Sequence, residues 1–158
     1  MQQLDGARDF DFEIGNWHVR HRRLKLRLQD CHEWEEFSGH CAMQHSLDGY
    51  GKLEQDIIEI PGGTYHAIAI RAFDPNSGTW AIWWLDARDP HHLDKPVIGR
   101  FSDGVGEFRA VDAVGDQEVL VRFLWLNTQT ATPRWEQAMS IDDGATWETN
   151  WVMDFTRD

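Results

Sequence analysis

Residues 147–157 read Trp-Glu-Thr-Asn-Trp-Val-Met-Asp-Phe-Thr-Arg. Successive side chains of an extended chain point to opposite faces. Trp147, Thr149, Trp151, Met153 and Phe155 then share one face, and Glu148, Asn150, Val152 and Asp154 the other. The alternation predicts a strand whose first set of residues points inward, toward an aromatic interior.

Moving back along the chain, Val119, Val121, Phe123 and Trp125 form a similar stripe, and Leu120, Leu124 and Leu126 on the alternate face allow burial on both sides. Runs rich in Val, Ile, Phe, Trp and Thr recur between turn residues, and no apolar stripe of helical period and length is present. The predicted strands are Trp17 to Leu28, Glu33 to His45, Leu53 to Ile60, Thr64 to Phe73, Thr79 to Asp86, Val97 to Phe101, Val105 to Val111, Glu118 to Leu126, Trp135 to Ser140 and Trp147 to Phe155. Pro61-Gly62-Gly63, Asp74 to Gly78 and Asp142-Asp143-Gly144 supply the turns between them.

Links this short join antiparallel neighbours and leave no room for a helical crossover, so a parallel sheet is excluded. In the first run the apolar parity changes from Trp17 and Val19 to Leu24, Leu26 and Leu28. A bulge or sharp bend would explain the change, and long bent strands commonly close a barrel. The expectation is an all-β chain: one antiparallel up-and-down β-barrel of about eight to ten strands, wide enough for one small ligand. Residues 1–158 form one domain, with 1–16 as a segment that closes or flanks the barrel through Phe10, Phe12 and Ile14. The longest link, Ala87 to Pro96 with its His91-His92 pair, reads as a lid over the barrel mouth.

Nine Trp, eight Phe and two Tyr in 158 residues supply a large aromatic core. Fifteen Lys plus Arg against twenty-seven Asp plus Glu give a net charge of −12, which repels phosphate backbones and anionic membranes. Neither nucleic acid nor a membrane is an expected partner. The basic stretch His18 to Arg27 reads as a solvated strand face. Asp5, Arg8, Asp9, Asp11 and Glu13 stand where a secretory signal would be apolar, and the longest apolar run is Trp80 to Leu85, so neither export nor a membrane span is expected. Cys31 and Cys41 would lie about 33 Å apart on a single strand, too far to bridge. Free thiols and a cytoplasmic location follow unless a hairpin falls between them.

Gly15-Asn16-Trp17 opens the first strand and Arg157 follows the last. The pair resembles the calycin superfamily, in which a Gly-x-Trp at the closed end of a lipocalin-like barrel stacks beneath an Arg from the final strand. Further segments are Phe10-Asp11-Phe12, Trp34 to Gly39, Leu47-Asp48-Gly49, Pro96 to Phe101 and Trp147 to Phe155. With these, nearly the whole chain is similar to an uncharacterised bacterial family of calycin-like proteins. The resemblance implies the fold, with Gly15, Trp17 and Arg157 as structural residues, and no particular reaction. One segment departs from it: Gly49 to Glu54 reads Gly-Tyr-Gly-Lys-Leu-Glu where a Gly-Asn followed by an acid is expected.

Ser140 to Trp147 matches the Asp-box hairpin, which is a turn and not a catalytic device; a sialidase-type propeller needs several copies and a longer chain. The His and Cys residues fit no zinc spacing, and no His follows His92 to serve as an axial haem ligand. No metal or cofactor is expected. Hydrolase, kinase and dehydrogenase fingerprints are absent.

Three functions remain. In a binding module for a small, largely apolar or aromatic molecule, Trp83, Trp84, Arg100, Trp135, Gln137, Asn150 and Trp151 would contact the ligand. In a cofactor-independent isomerase, lyase or cyclase, His66, Arg71 and Glu136 would handle the proton. In a structural protein with a filled barrel, Leu24, Leu26 and Leu28 would make a homodimer face.

Overall fold

A computed structural model describes residues 6–158. Ten strands follow one another along the chain: β1 (Gly15–Leu24), β2 (Trp34–Ser46), β3 (Gly51–Ile60), β4 (Gly63–Asp74), β5 (Thr79–Asp86), β6 (Val97–Ser102), β7 (Val105–Val114), β8 (Gln117–Leu126), β9 (Arg134–Ser140) and β10 (Glu148–Arg157). Each pairs antiparallel with its neighbours, and β1 pairs with β10, so the sheet closes into an up-and-down barrel without an edge. The architecture is compatible with a calycin-like fold.

Tight turns hold the meander. At Asp103-Gly104 both residues have positive φ (53° and 80°), the conformation that a two-residue hairpin with native twist requires, and Ser102 pairs directly with Val105. In the Ser140 to Trp147 turn, the Asp142 carboxylate accepts from Ser140 Oγ and Thr146 N, both at 2.8 Å, and Gly144 N donates to Ser140 Oγ. The Asp-box match is therefore a local turn solution.

One end of the barrel is plugged. The N-terminal segment folds as short 3-10 turns, at residues 6–8 and at Asp11–Glu13, and drives Phe10 into the barrel axis. Phe10 is fully buried, with its ring centroid 5.0 Å from Trp80 and 4.9 Å from Phe101. Residues 1–5 of the expected closing segment lie outside the described residues.

Trp17 and Arg157 are register partners across the β1–β10 seam, and the guanidinium carbon stands 4.1 Å from the indole centroid. Arg157 also donates to the carbonyls of Ile14 (2.8 Å) and Phe12 (3.0 Å), and Trp17 Nε1 donates to Glu13 O at 2.7 Å. Gly15 has φ of +121°, and a Cβ there would lie 2.7 Å from Arg157 Nη1, so both backbone and space require glycine. The expected Gly15, Trp17 and Arg157 group thus fastens the plug to the closing seam.

Two parities differ from the sequence reading. β10 carries a register shift between Thr149 and Trp151. Trp151, Met153 and Phe155 face inward as expected. Trp147 lies outside, stacked on Arg122 at 4.2 Å and Arg109 at 5.2 Å. The β1–β2 register, by contrast, is unbroken from Gly15 to Leu24. The apolar shift there marks the strand's end, followed by a rim loop in which Leu28 and Asp30 take positive φ. Leu24 is buried, Leu26 exposed and Leu28 packed on the core, so the three do not make one face.

Trp17→Ala removes a buried indole together with its cation–π and hydrogen-bond partners. It should destabilise the barrel by roughly 3–5 kcal/mol, read as a lower urea midpoint at unchanged slope. An unchanged midpoint would show that the seam does not hold the closed end.

Candidate functional site

Strand polarity sorts the loops. Those after β2, β4, β6 and β8 lie at the plugged end, and those after β1, β3, β5, β7 and β9 ring the other end. Between them the barrel encloses a cavity of about 410 Å³. Trp84, Phe123, Trp135, Trp151, Met153 and Phe155 form its walls, with the smaller Ala69, the register partner of Trp84, and Ile82 also in the lining. This volume lies in the usual range for small-molecule pockets. The interior is therefore not filled by tryptophan.

The floor is charged. On β3, Lys52, Glu54 and Asp56 alternate inward and are all buried. Arg71 of β4 donates to Glu13 Oε2 at 2.5 Å and to Glu54 Oε1 at 2.7 Å, and its guanidinium lies 4.5 Å from the Phe10 ring and 5.2 Å from Trp125. Lys52 Nζ donates to Gly49 O at 3.1 Å and stands 3.5 Å from Asp11 of the plug. Two cations and the aromatic cluster thus anchor the N-terminal segment beneath the cavity.

Three buried carboxyls share this floor, and a dry interior cannot hold all of them ionised. Burial would raise the Glu54 pKa, but Arg71 and hydrogen bonds from Asp56 and Glu13 bring it down to about 2. Burial raises Glu13 well above the usual carboxylate range despite Arg71, with the Glu54 charge adding to the effect. Burial and the Glu54 charge push Asp56 up in the same way. The floor therefore holds one anion, Glu54, flanked by two carboxylic acids that keep their protons. Burial alone would lower Arg71, but Glu13 and Glu54 raise it above its ordinary value, so it stays charged. Only Glu54 of the three carboxyls reaches the cavity lining, and a carboxylate with a pKa near 2 is a feeble base at neutral pH.

Glu13, Cys41 and Glu54 bring possible metal donor atoms within 4.8 Å of one another. The Arg71 guanidinium already occupies both carboxylates, so a cation of the protein's own fills that position. Burial also raises the Cys41 thiol well above its ordinary value, which keeps it protonated.

At the mouth, Arg23 of β1 donates to Tyr65 Oη at 3.1 Å and lies 5.1 Å from the Trp151 ring. Arg88 is held by both oxygens of Asp86 and stacks on Tyr65 at 3.6 Å. The 87–96 loop supplies Asp89, His92 and Asp94 to the lining and is tied down by the Asp94 N to Trp84 O bond of 3.0 Å. It rims the opening, where the sequence placed a lid.

The expected site residues separate into two faces. Trp84, Trp135, Gln137 and Trp151 line the cavity, and Arg71 forms its floor. Asn150 sits at the β10 bulge, fully buried, accepting from Gln137 Nε2 at 2.7 Å. Trp83, by strand alternation, turns to the outer wall with His66, Arg100 and Glu136. His66 and Arg100 are exposed, Arg100 reaching Ser77 O at 3.5 Å, and Glu136 meets Arg134 at 3.7 Å. The His66, Arg71 and Glu136 group does not form, because His66 and Glu136 have the opposite parity to Arg71. The sequence reading missed Glu13, Glu54, Asp56, Arg23 and Arg27. Lys52-x-Glu54-x-Asp56 shares its parity with Ile58, and that alternation was the available signal. His21, buried against Phe37, accepts from Trp151 Nε1 at 3.1 Å. Burial, with the Arg23 charge, lowers its pKa to about 3, so it is a neutral support for the wall.

The raised carboxyls set a pH dependence. Native Asp56 keeps a proton that the unfolded chain loses above about pH 4, so from that point stability falls as pH rises toward the native pKa. Glu54 acts oppositely: its contribution is present above about pH 4 and is lost as pH falls toward its native pKa. Asp56→Asn removes the first slope while keeping the shape. Urea midpoints at about pH 4.5 and pH 7 should drop less in Asp56→Asn than in the parent protein, and parallel drops would contradict a protonated Asp56.

Comparison of the chain with protein families and with curated proteins finds no match. What the cavity holds is therefore to be read from its own lining.

Proposed function

We propose that the barrel binds a small, flat, largely apolar molecule in its interior. The observation that carries this reading is a cavity of about 410 Å³ lined by four indoles, Trp84, Trp125, Trp135 and Trp151, sealed at one end by the plug and ringed by loops at the other. An apolar ring entering it leaves water and meets faces and edges of aromatic side chains, which bind flat molecules through area and quadrupole alike. Gln137 gives one fixed polar contact for orientation.

The floor favours binding over proton transfer. Its protonated carboxyls, Glu13 and Asp56, stand outside the cavity lining, and the carboxylate that lines it is a weak base. The Gly15, Trp17 and Arg157 seam supports placing the chain with bacterial calycin-like proteins. Cys31 and Cys41 are free, which supports a reducing, cytoplasmic setting. Among the described residues no helix is long and apolar enough to cross a membrane.

Titration with neutral 2-naphthamide should quench tryptophan fluorescence saturably. Ala69→Trp, which puts a large ring into the cavity beside Trp84, should weaken binding at least about tenfold while far-ultraviolet circular dichroism stays that of the folded barrel. Equal binding by a folded Ala69→Trp protein would place the ligand elsewhere.

A further inference from the structure

We infer that the ligand carries an anionic group, most simply a carboxylate, held at the cavity mouth by Arg23 and Arg27. The inference rests on the interior-binding reading and adds the ligand's charge and orientation to it.

The cavity lining contains four arginines. Two are neutralised: Arg71 by Glu54, with a further hydrogen bond to Glu13, and Arg88 by Asp86. Arg23, whose side chain is only 14% exposed, has Tyr65 Oη, which is neutral, and a long contact of 3.5 Å to the part-exposed Glu35. Arg27 is half-buried on the rim loop and has no ion pair or hydrogen bond among the described residues. Glu148, a nearby carboxylate, is engaged by Leu28 N at 2.8 Å. Asp89 and Asp94 at the rim are exposed to water, and Asp94 stands 3.4 Å from His92.

Two guanidiniums therefore face one partly desolvated mouth where the carboxylates beside them, Glu35, Glu148, Asp89 and Asp94, are part-exposed, exposed or already engaged. Burial lowers the Arg27 pKa and the Arg23 charge adds to the effect, while Tyr65, Asp94 and Glu148 act the other way without cancelling it. An external anion entering the mouth can accept charge-assisted hydrogen bonds from both guanidiniums. Guanidiniums donate in a planar fork that matches a carboxylate. Arg23 is fixed in place by Tyr65 and by its stacking on Phe37 at 5.0 Å and Trp151 at 5.1 Å, so a carboxylate bound there would put its aromatic body against the Trp151 wall.

The test compares 2-naphthoate with 2-naphthamide, which share a ring and differ in charge, by calorimetry on the full chain. Naphthoate should bind at least about tenfold more tightly at low salt, ~1.4 kcal/mol, and its advantage should shrink as sodium chloride is added. Arg27→Gln should cut the naphthoate-over-naphthamide preference to within about twofold, because a charge-assisted bond made only by the carboxylate is lost. Equal affinities in the parent protein, or a preference that survives Arg27→Gln at every salt concentration, would overturn the anion assignment and leave the cavity standing. Binding of neither compound would overturn the interior-binding reading itself.

Discussion

The Arg71 guanidinium ties the structure together. It joins Glu13 of the N-terminal plug to Glu54 of the barrel wall and lies against Phe10 and Trp125. A buried charge is tolerated only when it is paired and hydrogen-bonded, and removing one partner of such a pair costs roughly 3–5 kcal/mol. The plug is therefore not an appendage: withdrawing it would leave Arg71 and Glu54 short of a partner and expose Phe10. The Trp17 and Arg157 seam fastens the same segment from the side through the carbonyls of Phe12, Glu13 and Ile14. A sealed floor follows from these two contacts, and a sealed floor makes the interior a pocket rather than a channel.

Polarity is layered along the barrel axis. The lowest layer is ionic and satisfied mostly from within, with Glu54 as its anion between two protonated carboxyls. The middle layer is aromatic, and Gln137 with Asn150 breaks it at the β10 bulge. The top layer is mixed: Asp86 pairs with Arg88, while Arg23 and Arg27 have no close, buried counter-charge among the described residues. A ligand with an apolar body and one anionic end matches the upper two layers in order, and the paired floor offers it no further charge.

The strands and their antiparallel order were legible because turn residues punctuate the chain and period-two stripes mark β8 and β10. Closure was read from a bend in the first run that the unbroken β1–β2 register does not show. The Trp17 and Arg157 contact was legible from the resemblance. Facing was harder to read. β5 is Thr-Trp-Ala-Ile-Trp-Trp-Leu-Asp, apolar on both parities, so nothing in the sequence separates inward Trp84 from outward Trp83. The bulge at Asn150 reverses parity within β10 and sends Trp147 outward, and no turn residue announces it. The charged site was the least legible part. Nothing beside Lys52, Glu54 and Asp56 in the sequence points to partners for them, because Arg71 and Glu13 are brought near only by the fold. Within His18 to Arg27 the solvated-face reading holds for Arg20 and Arg22, which meet Glu36 on the outer wall. It fails for His21 and Arg23, which alternate inward.

A ligand bound as proposed lies inside the barrel, above the plug and below the rim. The nine tryptophans report on it separately, because each indole N–H gives its own signal in a nitrogen-proton correlation spectrum. On saturation with 2-naphthoate, the indole signals of Trp84, Trp135 and Trp151 should move, while those of Trp34, Trp83 and Trp147 on the outer wall and Trp17 at the seam should stay in place. Movement confined to Trp34, Trp83 and Trp147, or no movement at saturation, would contradict an interior binding site.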